Sequence, residues 1–143
     1  ERLIVSLLAD TGLRLSELAS LRVGNIDLTV DSIAVWGKGA KQLTVCFGPS
    51  TKVLLKQYLD AYKPTDGLLG LKPNGVARVL TRLESLTGIR SNAHSFRRTF
   101  AIESVRNGIN LFHFTRLPSI IVSQGIAHLA NRAWECVLML YCL

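Results

Sequence analysis

Apolar positions recur at helical spacing in the opening ERLIVSLLADTGLRLSELASL, where Leu3, Leu7 and Leu8 line one stripe. The run divides near Thr11 and Gly12, which predicts one helix before the break and a second after it, with Ser16 capping the run from Glu17 onward. Glycine suits a sharp turn at that break, because it enters left-handed backbone conformations without a Cβ penalty. Such a turn brings Arg14 to an exposed junction rather than into the first core stripe.

From Ile26 the pattern shortens to β-like runs, represented by NIDLTV, DSIAVWGKG and AKQLTVCF. Residues 33–36 and 43–47 flank a glycine-rich turn, which favours a small antiparallel sheet over another helix. Lys38 stands between Gly37 and Gly39, so the turn projects an ammonium on a tight support. A solvated turn lysine is the plainer reading of the same residue.

Pro49 suits the first turn of a helix, and TKVLLKQYLDAY continues it as an amphipathic run before Pro64 and the turn-like Asp66-Gly67. A further helix is predicted from near Asn74 through GVARVLTRLESL, with Val76, Val79, Leu80 and Leu83 inward and Arg78 and Arg82 outward. SNAHSFRRTFAIESVRNG reads as a helix opening and a helix that closes at Gly108, anchored by Phe96, Phe100 and Ile102 or Val105. His94, Arg97 and Arg98 lie near its entrance. INLFHFTRL adds a short helix before Pro118. No internal repeat or low-complexity linker divides the chain, so the pattern describes one mainly α domain with a small antiparallel β-sheet.

With 143 residues, 48% of them hydrophobic, the chain has the means to bury a sizeable core, which argues against global disorder. Lys and Arg total 17 against 10 Asp and Glu, and the formal charge of +7 points to anionic partners. Charge alone does not separate nucleic acid from a merely solvated basic surface. Cys46, Cys136 and Cys142 form no CxxC pair and no cluster with metal-ligand spacing, so a reduced, cytoplasmic chain is expected. The ending CVLMLYCL, residues 136–143, is too short to cross a bilayer. It suits a buried terminal helix or strand, or a sticky interaction segment, and no membrane partner is expected.

The basic residues near the predicted turns suit phosphate chemistry. Two arginines can bracket the nonbridging oxygens of a phosphate with planar forks of donors. Arg14 and Arg97 are the preferred pair, because Arg98 points about 100° around a helix from Arg97, toward DNA backbone or solvent. His94, three positions before Arg97, can donate a hydrogen bond or shuttle a proton. Alone it would read as a satisfied polar residue on an interhelical surface. Lys38 can approach the same phosphate on a flexible stem and protonate a departing deoxyribose oxygen, which the high pKa of arginine disfavours. Glu17, three residues after Arg14, is placed to orient Arg14 or His94, or else serves as a helix cap or surface ion pair.

The ordered set is more specific than its members. TGLRLSELASLRVGNIDL, followed by VWGKGAKQLTV and later HSFRRTFA, resembles the catalytic domain of the tyrosine recombinases, the phage integrase family, over roughly residues 1–117. The resemblance implies the DNA breaking-rejoining fold of that domain and a reaction that cuts and rejoins double-stranded DNA through a covalent phosphotyrosine. No cofactor is implied, neither ATP nor an obligatory metal. The arginine of TGLR matches Arg14, the glutamate three positions later Glu17, the turn lysine Lys38, and the histidine and arginine of HxxR match His94 and Arg97. These positions thereby take on family roles in phosphate activation and acid–base chemistry. Also implied are an N-terminal DNA-clamping domain, absent from this chain, and self-association on DNA, commonly through an exchanged C-terminal segment. The chain is expected to be a fragment or a truncated product.

Beyond Leu117 the pattern departs from the family. Where a glycine-histidine pair and then the nucleophilic tyrosine are due, the chain reads PSIIVSQGIAHLANRAW, with Pro118, Ser119 and Ile120 in place of the pair and Leu129 near the tyrosine position. The only later tyrosine is Tyr141, thirteen residues past His128. Tyr58 and Tyr62 fall in the middle helix, where aromatic packing accounts for them. Residues 118–143 are thus set apart, and a coding-frame change near the end would account for their composition. The expected function is that of a DNA-binding catalytic-domain fragment that keeps its phosphate-activating residues and lacks its nucleophile. A noncatalytic DNA-binding or assembly-regulating module and a basic helical interaction protein are the alternatives.

Overall fold

The computed structural model describes residues 1–36 and 42–108 and the backbone of 120–121. Lys38, the short helix predicted over INLFHFTRL, and the apolar ending with His128 and Tyr141 lie outside the described residues.

The first helix, α1 (Arg2–Thr11), is buried along its whole length from Leu3 to Leu8. A single leucine stripe therefore understates it. The helices α3 (Pro49–Tyr62) and α5 (Ala93–Arg106) and the strand β3 (Gln42–Cys46) all pack against it, so apolar residues are needed on several of its faces. The same crowding explains a buried polar cluster. Asp10 Oδ2 accepts the Gly48 N–H at 2.8 Å and the Thr51 hydroxyl at 2.5 Å, and the Ser6 and Thr51 hydroxyls meet at 2.5 Å. Gly48 is the N-cap of α3 and has no side chain with which to satisfy the helix start. A carboxylate from α1 does that work instead.

Gly12 ends α1 in the left-handed conformation, φ 59° and ψ 24°, with its N–H on the Leu8 carbonyl at 3.0 Å. The short helix α2 (Leu15–Ala19) follows, with Arg14 as its N-cap. Ser16, expected to cap a helix beginning at Glu17, lies instead within α2 and is exposed. The reason is that the Glu17 carboxylate accepts the Arg14 backbone N–H at 2.8 Å and closes the first turn two residues earlier.

A 3-10 turn at Val23–Asn25 leads into the sheet, formed by β1 (Ile26–Asp27), β2 (Ser32–Trp36) and β3 in antiparallel order. Ile33 pairs with Val45 and Val35 with Leu43, and these four side chains are buried on one face. Of the NIDLTV run only Ile26 and Asp27 are strand. The Asp27 carboxylate accepts the Thr29 and Val30 N–H groups at 2.8 and 3.3 Å and turns the chain. A short fourth strand, β4 (Ile120–Ile121), joins the sheet parallel to β3, opposite Thr44 and Val45.

Pro49 opens α3 as expected, and Tyr58 and Tyr62 pair on it with ring centroids 4.6 Å apart. The next helix, α4 (Pro73–Thr87), buries Val76, Leu80 and Leu83, with Arg78 and Arg82 exposed. α5 is capped by Asn92, whose side chain accepts the Ser95 N–H at 2.9 Å. Its inward face carries Ala93, Phe100 and Ser104. The further anchor expected at Ile102 or Val105 is not found at either position, since they are 43% and 42% exposed. The helix phase set by Ala93 and Phe100 brings position 104 inward, where the serine hydroxyl is satisfied by the Phe100 carbonyl at 2.7 Å.

Candidate functional site

Two helices, α2 and α5, bring Arg14, Glu17 and Arg97 together at the Gly12 turn. Arg14 stands at the start of α2, just after the Gly12 turn. Glu17 is buried, and its second carboxylate oxygen takes the Arg14 Nη1–H at 2.7 Å. A guanidinium has no acceptor, so the reciprocal bond of a capping box is not made. The carboxylate both caps the helix and aims the arginine.

Arg97 reaches the same junction from α5. Its Nη1 donates to the Gly12 carbonyl oxygen at 2.8 Å, joining positions 85 residues apart. Burial first, and the positive charge of Arg14 second, push the Arg97 guanidinium below the usual arginine range, while Glu17 acts in the opposite direction. Each arginine uses Nη1 on a protein acceptor and keeps further donors in its fork. The result is two like charges held near one carboxylate, an arrangement that an anion joining them would relieve.

His94 lies in the first turn of α5, one turn before Arg97, and is exposed. It makes no hydrogen bond or ion pair with the described residues. Its place near a helix N-terminus favours an anionic neighbour. Arg98 is exposed as well, turned away from Arg97 as helical geometry requires. Lys38, the remaining expected site residue, is outside the described residues. The part that sequence reasoning missed is the Gly12 carbonyl. TGLR signals a turn, but a main-chain acceptor for a distant arginine leaves no mark in residue identities.

Among the described residues no group of three or more His, Cys, Asp or Glu side chains is arranged to hold a metal ion, and no helix is long and apolar enough to cross a membrane.

Residues 1–115 match the phage integrase family. Tyrosine recombinase XerA from Saccharolobus solfataricus is 40% identical over 133 residues, covering 90% of this chain and 46% of the relative. The chain therefore spans about half the length of that relative. A crystal structure of XerA recombinase superposes with a TM-score of 0.74 at 25% identity, over 97% of this chain and 57% of that one. XerH site-specific recombinase, in a pre-cleavage complex with its difH substrate, shares the fold with a TM-score of 0.64 at 21% identity, over 95% of this chain and 44% of that one. From its matched sequence and its shared architecture, this chain belongs to the phage integrase family of tyrosine recombinases and has the fold of their catalytic domain.

Proposed function

We propose that the chain is a DNA-binding catalytic-domain portion of a site-specific tyrosine recombinase that grips a scissile phosphate but does not efficiently cut it. The observation that carries this reading is the pair of guanidinium groups from α2 and α5 held beside one buried carboxylate. Such a pair is electrostatically unfavourable by itself, and a phosphodiester placed between the forks turns repulsion into two charge-assisted contacts. On this reading Arg14 and Arg97 bracket the nonbridging oxygens, Glu17 aims Arg14, and His94 adds a hydrogen bond or moves a proton. Lys38 protonates the leaving deoxyribose oxygen.

The missing step is attack. Transfer requires a hydroxyl in line with the leaving oxygen, and the only tyrosine after the HxxR segment is Tyr141, far beyond the family position. Binding and chemistry are read separately by titrating duplex DNA across a salt series and by trapping covalent adducts on a suicide substrate. Salt-sensitive binding with little adduct is expected. No binding at low salt removes the reading, and an efficient adduct mapped to Tyr141 removes the claimed defect.

A further inference from the structure

We infer that Gly12 and Phe100 are positioning residues that set the spacing between the two phosphate-binding arginines; this rests on the phosphate-binding reading above. Both guanidinia are referred to one short stretch of main chain. Arg97 is held by the Gly12 carbonyl oxygen at 2.8 Å, and Arg14 stands two residues further on, held by Glu17. Any movement of α5 against the Gly12 turn therefore changes the gap that a phosphate has to fill.

Phe100 sets how closely α5 approaches. It lies one turn after Arg97, is buried, and rests on Gly12 so tightly that a Cβ there would stand 2.6 Å from Cδ1 and 3.0 Å from Cγ. These atoms are at the root of the ring, so tipping its far edge does not clear the space. Gly12 is also at φ +59°, where a side chain adds backbone strain. Glycine is thus required twice, for the turn that exposes Arg14 and for the close approach that lets Arg97 reach the carbonyl. A larger residue drives α5 outward and carries Arg97 off its anchor, even though neither Gly12 nor Phe100 touches the phosphate.

The test is a double-mutant cycle on duplex affinity at low salt, using the full chain, with far-UV circular dichroism and thermal melting to establish folding. Gly12→Ala is expected to weaken binding about tenfold, the scale of one charge-assisted contact. In an Arg97→Ala background the same change is expected to cost little more, because the contact it acts through is already gone. Adding Phe100→Ala to Gly12→Ala should recover part of the affinity, because it removes the Cγ and Cδ1 atoms that clash while the backbone strain at position 12 remains. Should Gly12→Ala fail to fold, the cycle of Phe100→Ala with Arg97→Ala is read by the same criterion. Additive costs in a folded, DNA-binding protein overturn the assignment, as does undiminished affinity of Gly12→Ala. A wild-type chain that binds no duplex instead overturns the phosphate-binding reading on which it rests.

Discussion

Glu17 holds Arg14 at two points, one carboxylate oxygen on the backbone N–H at 2.8 Å and the other on Nη1 at 2.7 Å. The carboxylate side chain is 8% exposed and the guanidinium side chain 51%, so a buried acceptor aims a largely solvated donor. Glu17→Gln keeps the shape but turns one acceptor into a donor facing a donor. It is expected to destabilise the fold by about 1–2 kcal/mol, read by denaturant unfolding. Removing a negative charge would by itself strengthen DNA binding. Weaker duplex binding by Glu17→Gln would show that aiming Arg14 outweighs the charge, whereas tighter binding would sink the orienting role.

Arg97 and Arg98 are adjacent in sequence but differ in burial, with Arg97 half-buried at the Gly12 turn and Arg98 exposed. Arg97→Ala is expected to lower duplex affinity and to reduce the slope of log affinity against log salt by about 1. Arg98→Ala should cost less affinity, since an exposed side chain contacts the backbone without a fixed geometry. Arg97→Lys keeps the charge and loses the fork, so it cannot hold Gly12 and bracket a phosphate at once. Equal losses for Arg97→Ala and Arg98→Ala would argue against a built phosphate site.

Thr51 bridges Ser6 and Asp10 inside the contact between α1 and α3. Thr51→Val preserves volume while removing the hydroxyl, so the Ser6 hydroxyl and Asp10 Oδ2 each lose one hydrogen bond, with the Gly48 N–H still on Asp10. A loss of about 1–3 kcal/mol is expected in denaturant unfolding, with the duplex affinity of the folded protein unchanged. An unaltered unfolding midpoint would mean that the cluster contributes nothing net.

What could be read in the sequence was local. The alternation of Ile33 with Val35 and of Leu43 with Val45 encodes which sheet face is buried, and glycine at 12 announces a turn that exposes Arg14. Relationships across the chain left no such trace. Asp10 caps a helix that starts 38 positions away at Gly48, and Arg97 bonds to a carbonyl 85 positions away. Ser16 looked like a cap because its residue type is a favoured one, but a glutamate inside the helix took over the terminal N–H. Ile102 and Val105 looked like anchors because they are apolar. The contact of Phe100 with Gly12 instead decides how α5 is turned, and that contact exists only once the helices are packed.

Cys46 at the end of β3 gives a pH-dependent test of the packing at that end of the sheet. Burial first, and the negative charge of Asp31 second, push its thiol above the usual cysteine range. Folding therefore favours the neutral thiol. Its contribution to stability is full below the unfolded-state pKa and is lost as pH rises through the higher folded-state value. In a Cys136→Ser/Cys142→Ser background, alkylation of Cys46 by iodoacetamide should be slow at neutral pH. Its rate should climb only above the free-cysteine midpoint of about pH 8.5. Unfolding in urea should move that midpoint down to the free value. Asp31→Asn should move it only part of the way, because burial is the larger cause, and it also removes the 2.6 Å ion pair between Asp31 and Lys52. A native midpoint at or below that of free cysteine would show that the end of β3 is open to water and that the Asp31 charge does not act on the thiol.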